Sequence, residues 1–394
     1  MKKNIFVEEI KRREHEDENT YSMIGTELKR ARTSQSQTLS SVAGNLCSVS
    51  YLCKVEKAQL KPNRYMLNEI CKKLNVDSPK LNLLFELKTM IMKVVSYYYQ
   101  HKLKEIESVY DSCKVFDNYR SKLIMFIYYI SAYKFAEAND ISKELFKITS
   151  VMHEDELSVF MVFYSILKYY EENYLETIDN LKNLSNLYSL DDTLGKIASL
   201  ICLECYIKLN SPMTLLHSHQ LLNLFLKTSE FEKAEYVRYL QIFYMIQNDM
   251  MDCAYKEFKY IKTEDYRKTL EFFFDVQRRT FKKKDIYQNL RPFAQLLYTY
   301  IFDPENYLTT FCEMDKTLFY ACDFSYNIAS YLTLSDDIER SEELTDVIIP
   351  NIKQTNNAIE HAFFLKEFCR ICSKIGRYKS FCKAYEVLNG GIFE

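Results

Sequence analysis

Apolar residues recur at intervals of three and four along most of this chain, and short polar breaks divide the pattern into helix-length segments. Ile24, Leu28 and Ala31 share one face of a first helix predicted from 22 to about 32. After the polar run 33–37, Thr38 is placed to cap a second helix, its hydroxyl accepting from backbone amides. Ser48 is placed to cap a third in the same way, with Leu52 and Val55 facing inward. Asn63 follows Pro62 and starts a fourth, with Met66, Leu67, Ile70 and Leu74 inward. A fifth begins after Asp77, with Ser78 as cap and Pro79 at the first helical position. From about residue 88 to the end, apolar helical segments alternate with short breaks.

One local pattern recurs there: an aromatic near a break, then a small residue and a new helix. It reads Tyr133-Lys134-Phe135-Ala136-Glu137-Ala138, Asn173-Tyr174-Leu175-Glu176-Thr177-Ile178, Glu230-Phe231-Glu232-Lys233-Ala234 and Gly376-Arg377-Tyr378-Lys379-Ser380-Phe381. Tyr133 and Asn173 are one helical-hairpin length apart, whereas the other gaps fit only with insertions. This is similar to degenerate tetratricopeptide-like repeats, in which stacked hairpins form a superhelix with a concave groove.

Composition strengthens the helical reading. The chain has 394 residues and only six Gly and six Pro, where average usage would give roughly 27 and 20. No apolar run reaches the ~20 residues of a membrane span. The charged N-terminus lacks the apolar stretch of a signal peptide, so the expected location is cytoplasmic. Twelve cysteines are scattered along the chain, mostly at apolar helical positions, as reduced core residues would be. Cys202-x-x-Cys205 and Cys369-x-x-Cys372 lie within helical periodicity and read as core positions, with no metal expected.

The formal net charge is only −2, but it is unevenly placed. Residues 22–75 carry nine Lys or Arg (29, 30, 32, 54, 57, 61, 64, 72, 73) against three Glu (27, 56, 69). A basic module joined to an acidic body suits one end for a polyanion. Within that module two short helices meet at a tight turn, and the second opens with small polar residues. A helix-turn-helix presents its recognition helix to the DNA major groove in this way. Val49, Ser50 and Tyr51 would project towards base edges, Ser48 would offer its backbone amide to a phosphate, and Lys54 would reach the DNA backbone one turn on. Thr38 joins this candidate DNA-binding set at the start of the second helix.

Residues 24–75 resemble the XRE (phage Cro/repressor-like) helix-turn-helix family. The likeness is strongest to its Gram-positive branch, through Leu46-Cys47-Ser48-Val49-Ser50-Tyr51-Leu52-Cys53-Lys54-Val55-Glu56. The resemblance implies an ion pair between Arg32 and Glu56 that fixes the first helix against the recognition helix. Two positions depart from the family pattern: Ala58 stands where glycine is usual, and Leu39 stands where a phosphate-contacting Gln is common. An XRE-like head followed by about 300 residues of helical repeats is similar to the RRNPP group of PlcR-like and Rgg-like regulators. That likeness implies a dimer whose repeat domain binds a short signalling peptide and rearranges the two heads. Repeat proteins of this kind grip a peptide with Asn, Gln and Tyr of their inner helices. Here the candidates are Tyr164, Tyr206, Gln241, Tyr244 and Asn327.

The expected fold is therefore all-α, a five-helix head followed by a right-handed superhelix of TPR-like hairpins. Residues 1–22 form a charged extension (with Met23 as an alternative start), 23–87 the head, and 88–394 the repeat domain. The expected partners are double-stranded DNA, a short peptide and a second copy of the chain, with no cofactor. The alternative is a repeat domain that serves as a protein-binding scaffold without a peptide. An enzyme is not expected: the chain has no Gly-rich phosphate loop, no His-Glu-x-x-His and no nucleophile elbow. His217 and His219 are two residues apart, which sends their rings to different sides of a helix.

Overall fold

The computed structural model describes residues 19–376, apart from 58, 61, 77, 117, 184–191, 279–289, 321–324, 335 and 349–356. The sequence expectations for 1–18, for Ala58 and for the last aromatic repeat after Gly376 lie outside the described residues. Among the described residues the chain is all-helical, with no strand. It divides into two compact units. The first comprises the described residues up to Leu167 and a short piece between Asn183 and Leu194. The second comprises Lys168–Lys182 and the described residues from Gly195 onward. No helix of the described residues is long and apolar enough to cross a membrane.

The first unit starts with α1 (Asn19–Ser34), α2 (Leu39–Ala43), α3 (Val49–Glu56) and α4 (Arg64–Lys73). Thr38 Oγ1 accepts from Ser41 N at 3.1 Å, Ser48 Oγ from Tyr51 N at 3.0 Å, and Asn63 Oδ1 from Met66 N at 2.8 Å. These caps satisfy amides that have no partner inside the helix. The small core consists of Ile24, Leu28, Val42, Ala43, Leu52, Val55, Leu67, Ile70 and Leu74. Ala31 and Met66, expected inside, are only half-buried. α5 (Ser78–Tyr99) packs against α1 and α4 and continues unbroken past residue 87, where the sequence suggested a domain boundary.

Hairpins follow in α6 (Leu103–Cys113), α7 (Tyr119–Ser131) and α8 (Phe135–Phe146), and the unit closes on α9 (Glu154–Tyr170). Phe160 meets Phe126 and Phe146, with ring centroids 5.6 and 5.0 Å away, and Phe163 meets Tyr98 at 4.9 Å. Arg120 and Glu156 are each 2% exposed, with Nε to Oε1 at 2.6 Å. Tyr119 OH and His153 N donate to the other Glu156 oxygen, so the buried charge has the several partners that burial requires.

The second unit continues with α10 (Tyr174–Asn183), α11 (Thr193–Lys208), α12 (Met213–Lys227), α13 (Phe231–Gln247), α14 (Met251–Phe258), α15 (Glu264–Arg278) and α16 (Pro292–Phe302). One core runs through α11–α16 and includes Leu203, Phe225, Tyr239, Phe243, Phe272 and Phe273. A second core joins α16 to α17 (Tyr307–Glu313), α18 (Tyr326–Tyr331) and, beyond α19 (Asp337–Glu342), α20 (Ala358–Ile375) through Leu296, Tyr307, Phe319, Tyr331, Phe364 and Phe368, and α19 packs against α20.

Several of the joints between helices share one backbone form. Among the described residues, eight that are not glycine have positive φ, including His101, Tyr133, Glu172, Asn210, Ser229 and Asp249. At each of these six, two consecutive amides turn back onto the preceding helix. Tyr133 N bonds Ile130 O and Lys134 N bonds Tyr129 O, and Asp249 N bonds Ile246 O and Met250 N bonds Met245 O. This is the Schellman closure of a helix end. It recurs at 133, 172, 210 and 249, so the period the sequence blurred is carried by the turns.

Candidate nucleic-acid interface and ligand cavity

The head is built so that α1 grips α3. Arg32 donates from Nε to Glu56 Oε1 at 2.7 Å and from Nη2 to Oε2 at 2.8 Å, and its Nη1 reaches Gln37 O at 3.0 Å. Both side chains are largely buried, 12% and 5% exposed. The fork matches the planar carboxylate on both oxygens, and this hydrogen bonding raises the Arg32 pKa further. On the same interface Gly25 lets the two backbones touch. A Cβ there would lie 2.5 Å from Val55 O and 2.8 Å from Glu56 O. Sequence reasoning missed Gly25 because the contact that requires it comes from a different helix.

α3 buries Leu52 and Val55 and turns its start outward. Val49 is 44% exposed, Ser50 and Lys54 are exposed, and Tyr51 is half-buried. The first helical bond runs from Leu52 N to Ser48 O at 3.2 Å. The amides of Val49 and Ser50 precede it and sit at the positive end of the helix dipole, the arrangement that receives an anion. Thr38 and Ser48 are both exposed, and their hydroxyls are engaged as caps. Gly44 ends α2 at φ 42°, and the ammonium of Lys73 lies over it, where a Cβ would collide. That charge also pulls against the rise that burial imposes on the Cys47 thiol. A cation therefore stands over the turn between the two helices, brought there from α4, which the local motif could not reveal.

The second unit holds a cavity of about 540 Å³, within the roughly 300–1,000 Å³ of small-ligand sites. Its walls are aromatic: Tyr169, Tyr170, Tyr174, Phe319, Tyr320 and Tyr326. Tyr169 OH donates to Tyr320 O at 3.3 Å, and the Tyr170 and Tyr320 rings meet edge-on at 5.2 Å. The polar groups are Glu172, Lys208, Lys316, Ser325, Asn327 and Glu360. Glu360, 2% exposed, starts α20, where Asn357 Oδ1 accepts from its amide. Ser325 Oγ donates to Glu360 Oε1, and Asn327 Nδ2 donates to Oε2 at 3.1 Å. Glu172 sits on one of the left-handed turns, at φ 61°. Burial, then the charge of Glu360, pushes its carboxyl above the usual range, against the pull of Lys208. Burial and the same two carboxylates raise the Tyr174 phenol as well. A second cavity of about 210 Å³ shares Asn327 and Glu360 and is otherwise lined from α18 to α20.

Of the five sequence candidates for peptide contact, Asn327 lines both cavities. Tyr206 is buried against His217, with ring centroids 5.5 Å apart, and Lys182 lies over its face. Gln241 and Tyr244 are buried on α13, and the Gln241 carbonyl has no hydrogen-bond partner among the described residues. Tyr164 belongs to the first unit, edge-on to Phe146 at 4.8 Å. These four line neither cavity. Cys202 and Cys205 are buried on α11, and burial pushes the Cys202 thiol up to about 12.

No family model matches the sequence, and no curated protein does either. Among the solved structures to which the chain is similar are three regulators. Bacillus thuringiensis PlcR, in complex with the peptide PapR7 and DNA, is matched over 66% of this chain and 96% of its own, at 16% identity and a TM-score of 0.36. The SHP pheromone receptor Rgg2 of Streptococcus dysgalactiae is matched over 73% and 97%, at 14% identity and a TM-score of 0.17. The competence regulator ComR of Streptococcus vestibularis, in complex with its cognate signaling peptide XIP, is matched over 74% and 97%, at 16% identity and a TM-score of 0.25. At these values the chain's own residues must carry any statement about what it binds.

Proposed function

We propose that this chain is a DNA-binding transcription regulator whose second unit senses a short peptide. The observation that carries the DNA half is the start of α3. Val49, Ser50 and Lys54 are exposed on a helix capped by Ser48 and clamped to α1 by Arg32 and Glu56. A recognition helix needs both properties, since base edges are read only by side chains held at a fixed angle to the groove. Val49, Ser50 and Tyr51 read bases, Lys54 and Lys73 contact phosphates, and the amides following Ser48 hold a phosphate oxygen. Thr38 fixes the start of α2 beside them. A homodimer supplies two heads one helical turn apart, which gives operator-level affinity. Peptide in the aromatic cavity of the second unit, with Asn327 on its wall, favours one arrangement of the heads over the other. Such coupling requires different affinity for the two arrangements.

The test is binding of the purified protein to its own upstream DNA across a salt series, beside a Tyr51→Ala, Lys54→Ala double variant. The expected result is tight binding that weakens steeply with salt and is lost in the variant. Equal binding by the variant would remove α3 as the reading helix.

A further inference from the structure

The cavity of the second unit holds a charge arrangement that the fold alone does not explain. Glu172, on the turn between α9 and α10, and Glu360, in the first turn of α20, face the same space, close enough for one charge to raise the other's pKa. Glu360 has its hydrogen bonds from Ser325 and Asn327. The half-buried Glu172 carboxylate faces Glu360 and Lys208 and has no side-chain hydrogen bond among the described residues. Lys208, 4% exposed, offsets one of the two negative charges. Lys316 also lines the space but is exposed, so solvent and salt screen it. The least exposed of the lining charges are Glu172, Glu360 and Lys208, two carboxylates to one ammonium, beside tyrosine and phenylalanine rings. Carboxylate and ring faces both attract cations and both disfavour anions.

We infer that this cavity recognises a cationic nitrogen, the ammonium or guanidinium of a peptide, with Glu172 as its direct partner, Glu360 as the second charge and Tyr170, Tyr320 and Tyr326 around it. The inference rests on the peptide-sensing half of the proposed function and narrows the ligand to one that brings a positive charge into an apolar setting. Its source is either the free N-terminus or a basic side chain. The polar part of the site is small, so the rest of the ligand is apolar and fills the aromatic walls. Asn327 touches Glu360 on the boundary with the second cavity, so ligand that engages Glu360 also pulls on α18.

The experiment titrates the full-length protein by calorimetry with four C-terminally amidated tetrapeptide pools built from Leu, Val, Phe and Tyr. One pool has a free N-terminus, one is N-acetylated, one is N-acetylated with a single Lys, and one is N-acetylated with a single Glu. Binding by the free-amine pool or the Lys pool, and weak binding by the other two, is expected, and which of the two binds identifies the source of the charge. Glu172→Gln should weaken that binding roughly tenfold or more, the effect of losing one charge-assisted hydrogen bond. Tyr326→Ala, at an exposed ring, should weaken it less and serves as a second variant with little risk to folding. Equal binding of the neutral pool, preference for the Glu pool, or wild-type affinity in Glu172→Gln would overturn the inference. So would silence from all four pools in a preparation that still binds upstream DNA, and that result would leave the DNA-binding reading intact. Cationic binding without DNA binding would sink only the latter.

Discussion

The head and the ligand cavity handle buried charge in opposite ways. In the head, Arg32 and Glu56 are opposite charges joined through two hydrogen bonds, and the pair closes a helix interface. In the cavity, Glu172 and Glu360 are like charges held near each other with only partial offset from Lys208. In the first arrangement each charge is the other's hydrogen-bond partner. The second is not closed by the residues around it. A region whose charges are already matched is finished as a structure, and one whose charges are not is open to a partner.

The largest effect should come from breaking the matched pair. Glu56→Ala leaves the Arg32 guanidinium largely buried without its carboxylate, which costs about 3 kcal/mol. Urea unfolding of the first unit's signal should shift accordingly, and DNA binding should fall with it. An unchanged midpoint would place the pair among surface ion pairs worth less than about 1 kcal/mol. Gly25→Ala comes next, at about 2 kcal/mol, because the added carbon forces α1 away from α3. Here DNA affinity should drop even at temperatures where the head stays folded, and a variant that binds normally would show that the two helices can part without loss.

Substitution in the cavity should have the opposite sign. Glu172 has a raised pKa in the folded chain, so its contribution to stability is present at pH values below its unfolded pKa and is lost as pH rises through the raised value. Above that raised value the ionised group opposes folding. Glu172→Gln should therefore raise the melting temperature by about 2 °C at pH values above that range, and the pH step above the ordinary carboxylate range should disappear. A lower melting temperature in Glu172→Gln would mean that the carboxylate is already satisfied. The smallest effect belongs to the joints. Ser229→Gly exchanges relief of left-handed strain for entropy lost on folding and should stay within about 0.5 kcal/mol. Ser229→Val should cost about 1–2 kcal/mol. Equal stability of the two would mean that φ at this position is not fixed.

These contrasts follow what the sequence displays. The caps at Thr38, Ser48 and Asn63 are legible because a cap acts on amides two or three residues away. Arg32 and Glu56 are legible only through family resemblance, since nothing local links them. The left-handed turns escape notice because Tyr133, Glu172 and Ser229 are not residues that advertise positive φ, in a chain with six glycines. The pairing of Glu172 with Glu360 is invisible for a stronger reason. It exists only once α20 is brought back beside the turn before α10, and no spacing along the chain encodes that return. Of the tyrosines and amides singled out for a groove, most fill the interior between helices, because residue type alone does not distinguish a packing ring from a contacting one.

The repeated Schellman joint has a consequence for how this protein can change. Each joint is closed by two amides bonding to carbonyls of the preceding helix, and every residue except proline carries those groups. The angle at which one hairpin hands over to the next is thus stored in the backbone, while the side chains on the turn are His, Tyr, Glu, Asn, Ser and Asp in different copies. A design of that sort tolerates wide drift in letters while keeping its metre. New side-chain chemistry can be written onto one joint, as with the carboxylate of Glu172, without renegotiating the helices that carry it.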